Sequence, residues 1–171
     1  MKKYSRACFL SVLFIILVQT SGLAQTRYLQ KTIGITMPTV LDLELISGAN
    51  PVADFNTTSK IDAGIVLPNQ TIIKYSSNQA WFVTIRTNVA EFSGGTVGSP
   101  MPVSVIKYRL NSAGGSYTPL SVVEQPLIAT SSSKSVRGTG TDGVDFFIDP
   151  GYIYAPAQDY TIQIIYTISN L

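Results

Sequence analysis

From about residue 30 onward, large apolar side chains recur at every second position. Leu41, Leu43 and Leu45 alternate with Asp42 and Glu44. Trp81, Val83 and Ile85 alternate with Phe82, Thr84 and Arg86, and Ile106, Tyr108 and Leu110 with Lys107 and Arg109. Val144, Phe146 and Ile148 alternate with Asp145, Phe147 and Asp149. The most regular stretch is "DYTIQIIYTISNL", where Tyr160, Ile162, Ile164, Tyr166 and Ile168 share one parity. A period of two places one set of side chains on one face of a strand, so each stretch predicts a strand with a single apolar face. Ile72 to Tyr75 and Thr32 to Met37 add two shorter candidates, and Leu120 to Glu124 a weaker one.

Turn-rich segments separate these runs: "SGANP" at 47–51, "LPNQ" at 67–70, "SGGTVGSPMP" at 93–102, "NSAGGSYTP" at 111–119 and "ATSSSKSVRGTGTDG" at 129–143. No window carries a helical period, and 53–62 has room for a single helical turn. Seven to nine short strands with turns between them predict an all-β, antiparallel β-sandwich. The last strand must bury its apolar face and pair on at least one side. Its simplest role is to seal the sandwich, pairing with the first strand.

The first residues follow a different rule. Lys2, Lys3 and Arg6 precede an apolar run from Ala7 to Val18, and Gly22-Leu23-Ala24 has the small-x-small form of a signal-peptidase site. The run is 12 residues, short of the roughly 20 that cross a bilayer as a helix. The pattern predicts a signal peptide at 1–24 and one sandwich domain at 25–171. Export then leads to the periplasm, the cell surface or the outside, with no membrane insertion after cleavage. Removing 1–24 takes three of the 12 basic residues and none of the 10 acidic ones, which moves the formal charge from +2 to −1. The residual charge gives no basis for nucleic-acid binding. Cys8, the one cysteine, leaves as well. The domain therefore has no disulfide and depends on its core.

The absence of His from the chain and of Cys from 25–171 removes Ser–His and Cys–His nucleophiles and the usual zinc ligands. Ser131-Ser132-Ser133-Lys134 matches S-x-x-K, but it lies in a Ser-rich loop rather than on the helix that dyad needs. A non-enzymatic chain without a cofactor is expected. Two other chemistries stay open. In "RGTGTDGVDF" at 137–146, Gly138, Gly140, Asp142 and Val144 fit four of the five fixed positions of a calcium nonapeptide repeat. One copy lacks half the ligands of that architecture. Asp142, Asp145 and Asp149 form the alternative, a loop calcium site, set against an ordinary Asp-Gly turn entering a strand. Phe147 on a polar face, with Tyr152 and Tyr154 after it, offers rings that stack on a glycan, set against rings that pack under a loop. Trp81 reads as core. Asn56-Thr57-Thr58 has the form of a glycosylation sequon.

The segment "DPGYIYAPAQDYTIQIIYTISNL" resembles the ending of bacterial exported β-sandwich proteins of the fimbrial-subunit-like, spore-coat-U-like and WxL-like kinds. The matching parts are Pro156-Ala157, Tyr160-Thr161 and Ile164 to Ile168, with Gln158 where those proteins usually carry Gly. The resemblance implies an immunoglobulin-like sandwich acting as a structural or adhesive surface component. Its partners would be other surface or assembly proteins, or a second copy. Assembled pilins complete a neighbour's sheet with an N-terminal extension. Here that role falls to Ile33, Ile35 and Met37, because the parity breaks between Tyr28 and Ile33. With Tyr160, Ile162, Ile164 and Tyr166, these residues are the candidate assembly edge.

Overall fold

A computed structural model describes residues 30–47, 50–94, 100–154, 156 and 160–171. The expected signal peptide at 1–24, Tyr28, Ala157 and Gln158 lie outside the described residues. The chain divides into two units, Met1–Met37 and Pro38–Leu171. In the first, the described residues 30–37 are exposed and belong to no strand. The strand expected at Thr32–Met37 is therefore absent: three apolar pegs without a ladder partner do not hold an extended backbone.

The second unit is an all-β sandwich of two antiparallel sheets. Its eight strands are β1 (Leu41–Ser47), β2 (Ile65–Ser77), β3 (Phe82–Thr87), β4 (Ile106–Leu110), β5 (Thr118–Pro119), β6 (Gln125–Ile128), β7 (Gly138–Ile148) and β8 (Ile164–Ser169). The larger sheet runs β1-β2-β7-β4-β5 and the smaller β6-β3-β8. One short helix, α1 (Thr58–Ala63), precedes β2. Thr57 caps it through Oγ1, which accepts the Lys60 N–H at 3.4 Å.

The stripes read from the sequence are the core. Ile85, Ile106, Tyr108, Val144 and Phe146 are buried together with Met101, Val105 and Leu120 between the sheets. Ile73, Trp81 and Val83 form a second buried group. Leu127 and Tyr166 pack against both groups and join them. Trp81 is anchored at its polar edge, where Nε1 donates to the Val136 carbonyl at 2.8 Å.

Several boundaries and one pairing differ from the sequence reading; the last strand begins at Ile164, so Tyr160 and Ile162 of the candidate assembly edge lie before it, where Thr161 makes only an isolated bridge to Ser93. The expected strand at Ile72–Tyr75 is the end of a longer β2. "LPNQ" lies inside it as a bulge, between the pairs Leu67↔Phe146 and Thr71↔Val144. The candidate at Leu120–Glu124 is replaced by β5 and β6 on either side, and Leu120 is a buried residue between strands. The loop expected to run to Gly143 ends earlier, since β7 starts at Gly138 opposite Ser77. The last strand does not pair with the first. β8 pairs with β3, Phe82↔Ser169 through Thr87↔Ile164, while β1 pairs with β2 in the other sheet.

Candidate functional site

β8 is an edge. Its ladder to β3 uses one side of the strand, and among the described residues nothing pairs with the other. Along an antiparallel edge, every second residue then presents its N–H and C=O outward. The sequence of β8, Ile-Ile-Tyr-Thr-Ile-Ser, contains no charge and no proline. Just before it, Thr161 bridges Ser93, with each N–H donating to the other's carbonyl at 3.0 Å.

The apolar stripe faces the core as its parity predicts. Tyr160, Ile162, Ile164 and Tyr166 pack against the first buried group, and Tyr166 and Ile168 against the second. None is fully buried; every residue of β8 is partly buried. Burial nevertheless pushes the Tyr166 hydroxyl up to about 12, with Thr71 beside it drawing the other way. Tyr160 meets Phe92 edge-on, with ring centres 6.2 Å apart.

β1, which lies beside β8, pairs with β2 from Ser77 to Ile72 over its described residues. The preceding part of β2, Ile65–Leu67, has β7 on one side and no described strand on the other. Leu45 pairs with the buried Ile73 and so shares its face, yet it is 48 % exposed. Leu67 packs against the first buried group and is half-exposed. Leu67, Ile164 and Tyr166 thus form a partly buried apolar strip along the first buried group. In the sequence Leu45 reads as core by its parity, and Leu67 as the start of the turn-rich "LPNQ".

In the other unit, Ile33, Ile35 and Met37 are 74 %, 81 % and 75 % exposed. Their alternation is the apolar counterpart of such a strip, on a segment with no strand of its own.

The remaining candidates are scattered. Phe147 is on the outer face of β7, half-buried, with Tyr117 at 5.7 Å between ring centres and the Lys107 ammonium 5.2 Å above it. Gly64, at φ +70, brings the end of α1 against the same ring, where a Cβ would collide. Tyr154 packs inward on the core, while Tyr152 is 64 % exposed and its hydroxyl reaches the Thr58 carbonyl at 3.5 Å. The three rings do not form one platform.

The three aspartates are also apart in role. Asp142 and Asp145 lie within β7 rather than in a loop, and Asp149 is exposed just after it. Asp142 accepts from the Tyr75 hydroxyl at 3.0 Å. Hydrogen bonding to that carboxylate, after burial, raises the Tyr75 hydroxyl. Asp145 is 1 % exposed. It accepts from Arg109 Nε and Nη2 at 3.1 and 3.0 Å, from Asn111 Nδ2 at 3.1 Å and from the Asn69 N–H at 2.8 Å. Burial alone would raise its carboxyl; the donors from Asn69, Asn111 and Arg109 outweigh burial and hold it below the usual carboxylate value. Among the described residues, no group of three or more His, Cys, Asp or Glu could hold a metal ion. Lys134 of the S-x-x-K match donates to the Asn170 carbonyl at 2.9 Å, in an exposed loop. No described helix is long and apolar enough to cross a membrane.

No protein-family model matches the chain, and no curated protein does. Among solved structures, the chain is similar to one from the structure of a chaperone–usher pilus, at 12% identity over 87% of this chain and 97% of that one, with a TM-score of 0.42.

Proposed function

We propose that this protein is a non-enzymatic, exported structural component that assembles through the bare edge of β8. The occupant is an extended segment of a second copy, Thr32–Met37. The observation that carries this reading is the condition of β8: an uncharged, proline-free edge strand of six residues with no described partner on one side. Such edges recruit strands unless something blunts them. Ile33, Ile35 and Met37 supply the matching alternation and are fully available. The basic, apolar and small-residue order of 1–24 supports export.

The energetics indicate what must hold such a contact. Burying three apolar side chains contributes roughly 5–9 kcal/mol. Ordering six residues costs about as much. The ladder to β8 therefore decides the balance, and blocking that ladder should be sufficient to prevent assembly.

The test is sedimentation velocity on the full chain across a concentration series. Concentration-dependent oligomers are expected, reduced to monomer by Ile165→Lys on β8 and, separately, by Ile33→Asp with Ile35→Asp. A wild-type chain that stays monomeric at every concentration overturns the reading.

A further inference from the structure

We propose that copies of this protein assemble head to tail: the end of the sandwich that carries Pro38 seats on the opposite end of the next copy, with Lys134 and Arg137 facing Glu91 and Glu124. The inference rests on the assembly reading for the strand that joins the copies. It adds their orientation and the surface where they touch.

The root of the segment 30–37 is fixed. Pro38, Thr39 and Val40 are clasped to the turn between β2 and β3. Asn78 Nδ2 donates to the Pro38 carbonyl at 2.6 Å, and Asn78 Oδ1 accepts the Val40 N–H at 2.9 Å. Gln79 Nε2 donates to Thr39 Oγ1 at 2.9 Å, while Gln79 Oε1 accepts from Asn170 Nδ2 at 2.7 Å. One turn thus holds both the start of the second unit and the residue that follows β8. β8 runs toward this end, where Ser169 lies opposite Phe82. A segment that reaches a neighbour's β8 therefore draws this end of its own sandwich after it.

The two ends differ in charge. At the clasped end, the loop before β7 exposes Lys134, Val136 and Arg137, next to the bridge between Trp81 and Ser135. Asp42, an exposed acid, lies one step in, opposite Ser76. At the far end the two sheets finish together, because the Thr87 N–H donates to the Ser121 carbonyl at 2.9 Å and the Leu120 N–H to the Ile106 carbonyl at 2.8 Å. Glu91, Glu124 and Asp149 are exposed there. So are Val122 and Val123, at 43 % and 69 %. Arg86 meets Glu124 at 4.0 Å, and Lys107 sits 5.2 Å above the Phe147 ring.

Charge then selects the direction. Six residues of segment, 32–37, match the six of β8. Run parallel to β8, they would put Met37 beside Ser169, and two basic ends would meet. Run antiparallel, they put Met37 beside Ile164, the residue opposite Thr87, and a basic end meets an acidic one. Like charges brought together cost energy, and complementary ones fix register. Antiparallel pairing is also the more stable per residue. The contact is heterologous, so each added copy leaves an end free and growth stays open.

The test is sedimentation velocity on the full chain with charges reversed at one end, at the other, and at both. Lys134→Glu with Arg137→Glu, or Glu91→Lys with Glu124→Lys, should raise the concentration for half-assembly about tenfold. All four substitutions in one chain should restore wild-type assembly. Reversals at one end without effect, or no restoration when combined, overturn the head-to-tail contact and leave strand addition standing. Assembly that follows the reversal pattern yet persists with Ile165→Lys overturns strand addition and keeps the end contact. A wild-type chain that stays monomeric overturns both. Lys134 and Glu124 also touch groups of their own fold. The series is therefore repeated with Arg137→Glu and Glu91→Lys alone, and circular dichroism verifies that each variant is folded.

Discussion

The two edges of the small sheet are built on opposite plans. β6 is four residues long and carries Pro126, whose carbonyl accepts the Tyr108 hydroxyl at 3.1 Å and ties the edge to the facing sheet. The neighbouring edge of the large sheet, β5, is two residues and ends on Pro119. Proline and short length are the ordinary ways of making an edge unattractive. β8 is six residues, with no proline and no charge, and among the described residues nothing pairs with its outer side. One side of the sandwich is closed to further strands and the other is not. General crowding or poor packing does not explain this, because β3 between the two edges is well buried. The asymmetry belongs to the edges themselves.

The strongest way to break the comparison is to remove the residue that carries β8. Tyr166 joins both buried groups. Tyr166→Ala should cost about 3 kcal/mol, the low end for an aromatic because the residue is only partly buried. Urea unfolding checks this, and Tyr166→Phe should change the midpoint little. A loss below about 1 kcal/mol would mean that β8 is not integral to the fold.

The next effect tests the pin behind the bulge. Asp145→Asn keeps the shape and removes the charge-assisted bonds, at about 2 kcal/mol at neutral pH. The sign with pH follows from the lowered carboxyl. The wild-type advantage is fully present above the ordinary value of 3.8 and is lost as pH falls through the lower folded value. Urea midpoints of the two proteins should therefore differ at pH 7 and draw together as pH falls well below 3.8. A gap that is constant with pH would mean that Asp145 is not an ionised partner of Arg109.

The smallest change in stability sharpens the contrast between edges. Pro126→Val should alter stability by only about 0.5 kcal/mol, yet it restores a donor and a β-former to the blunted edge. Self-association that persists when β8 carries Ile165→Lys should then appear by light scattering. If none appears, proline is not what protects β6.

Much of this was legible from alternation alone. The parity of Val83, Ile85, Val144 and Phe146 placed each in the core, and the Tyr160–Ile168 stripe faces inward as expected. Reading "LPNQ" as a turn failed for a definite reason. Pro and Asn mark both turns and bulges, and only the β7 partner distinguishes them. Asp145 read as a solvent-facing residue, since it alternates with Val144 and Phe146. Its burial comes from Arg109, Asn111 and Asn69, the first two 36 and 34 positions away and the last 76. Phe147 stood between a ring that stacks on a glycan and one that packs under cover, and Tyr117, Lys107 and Gly64 cover it from three other parts of the chain.

By itself the sequence determined which residues face inward, that the fold is all-β, and where most strands lie. Those properties follow from the two-residue repeat of an extended backbone, which is local. The tertiary structure decided that β8 pairs with β3 rather than with the first strand, that β1 joins the other sheet, and that, among the described residues, one edge is blunted while the other is unpaired. Ladder partners are chosen between segments far apart in the chain, and several pairings would satisfy the same inward pattern. Which edge remains open is therefore a property of the assembled sheets, not of any strand read alone.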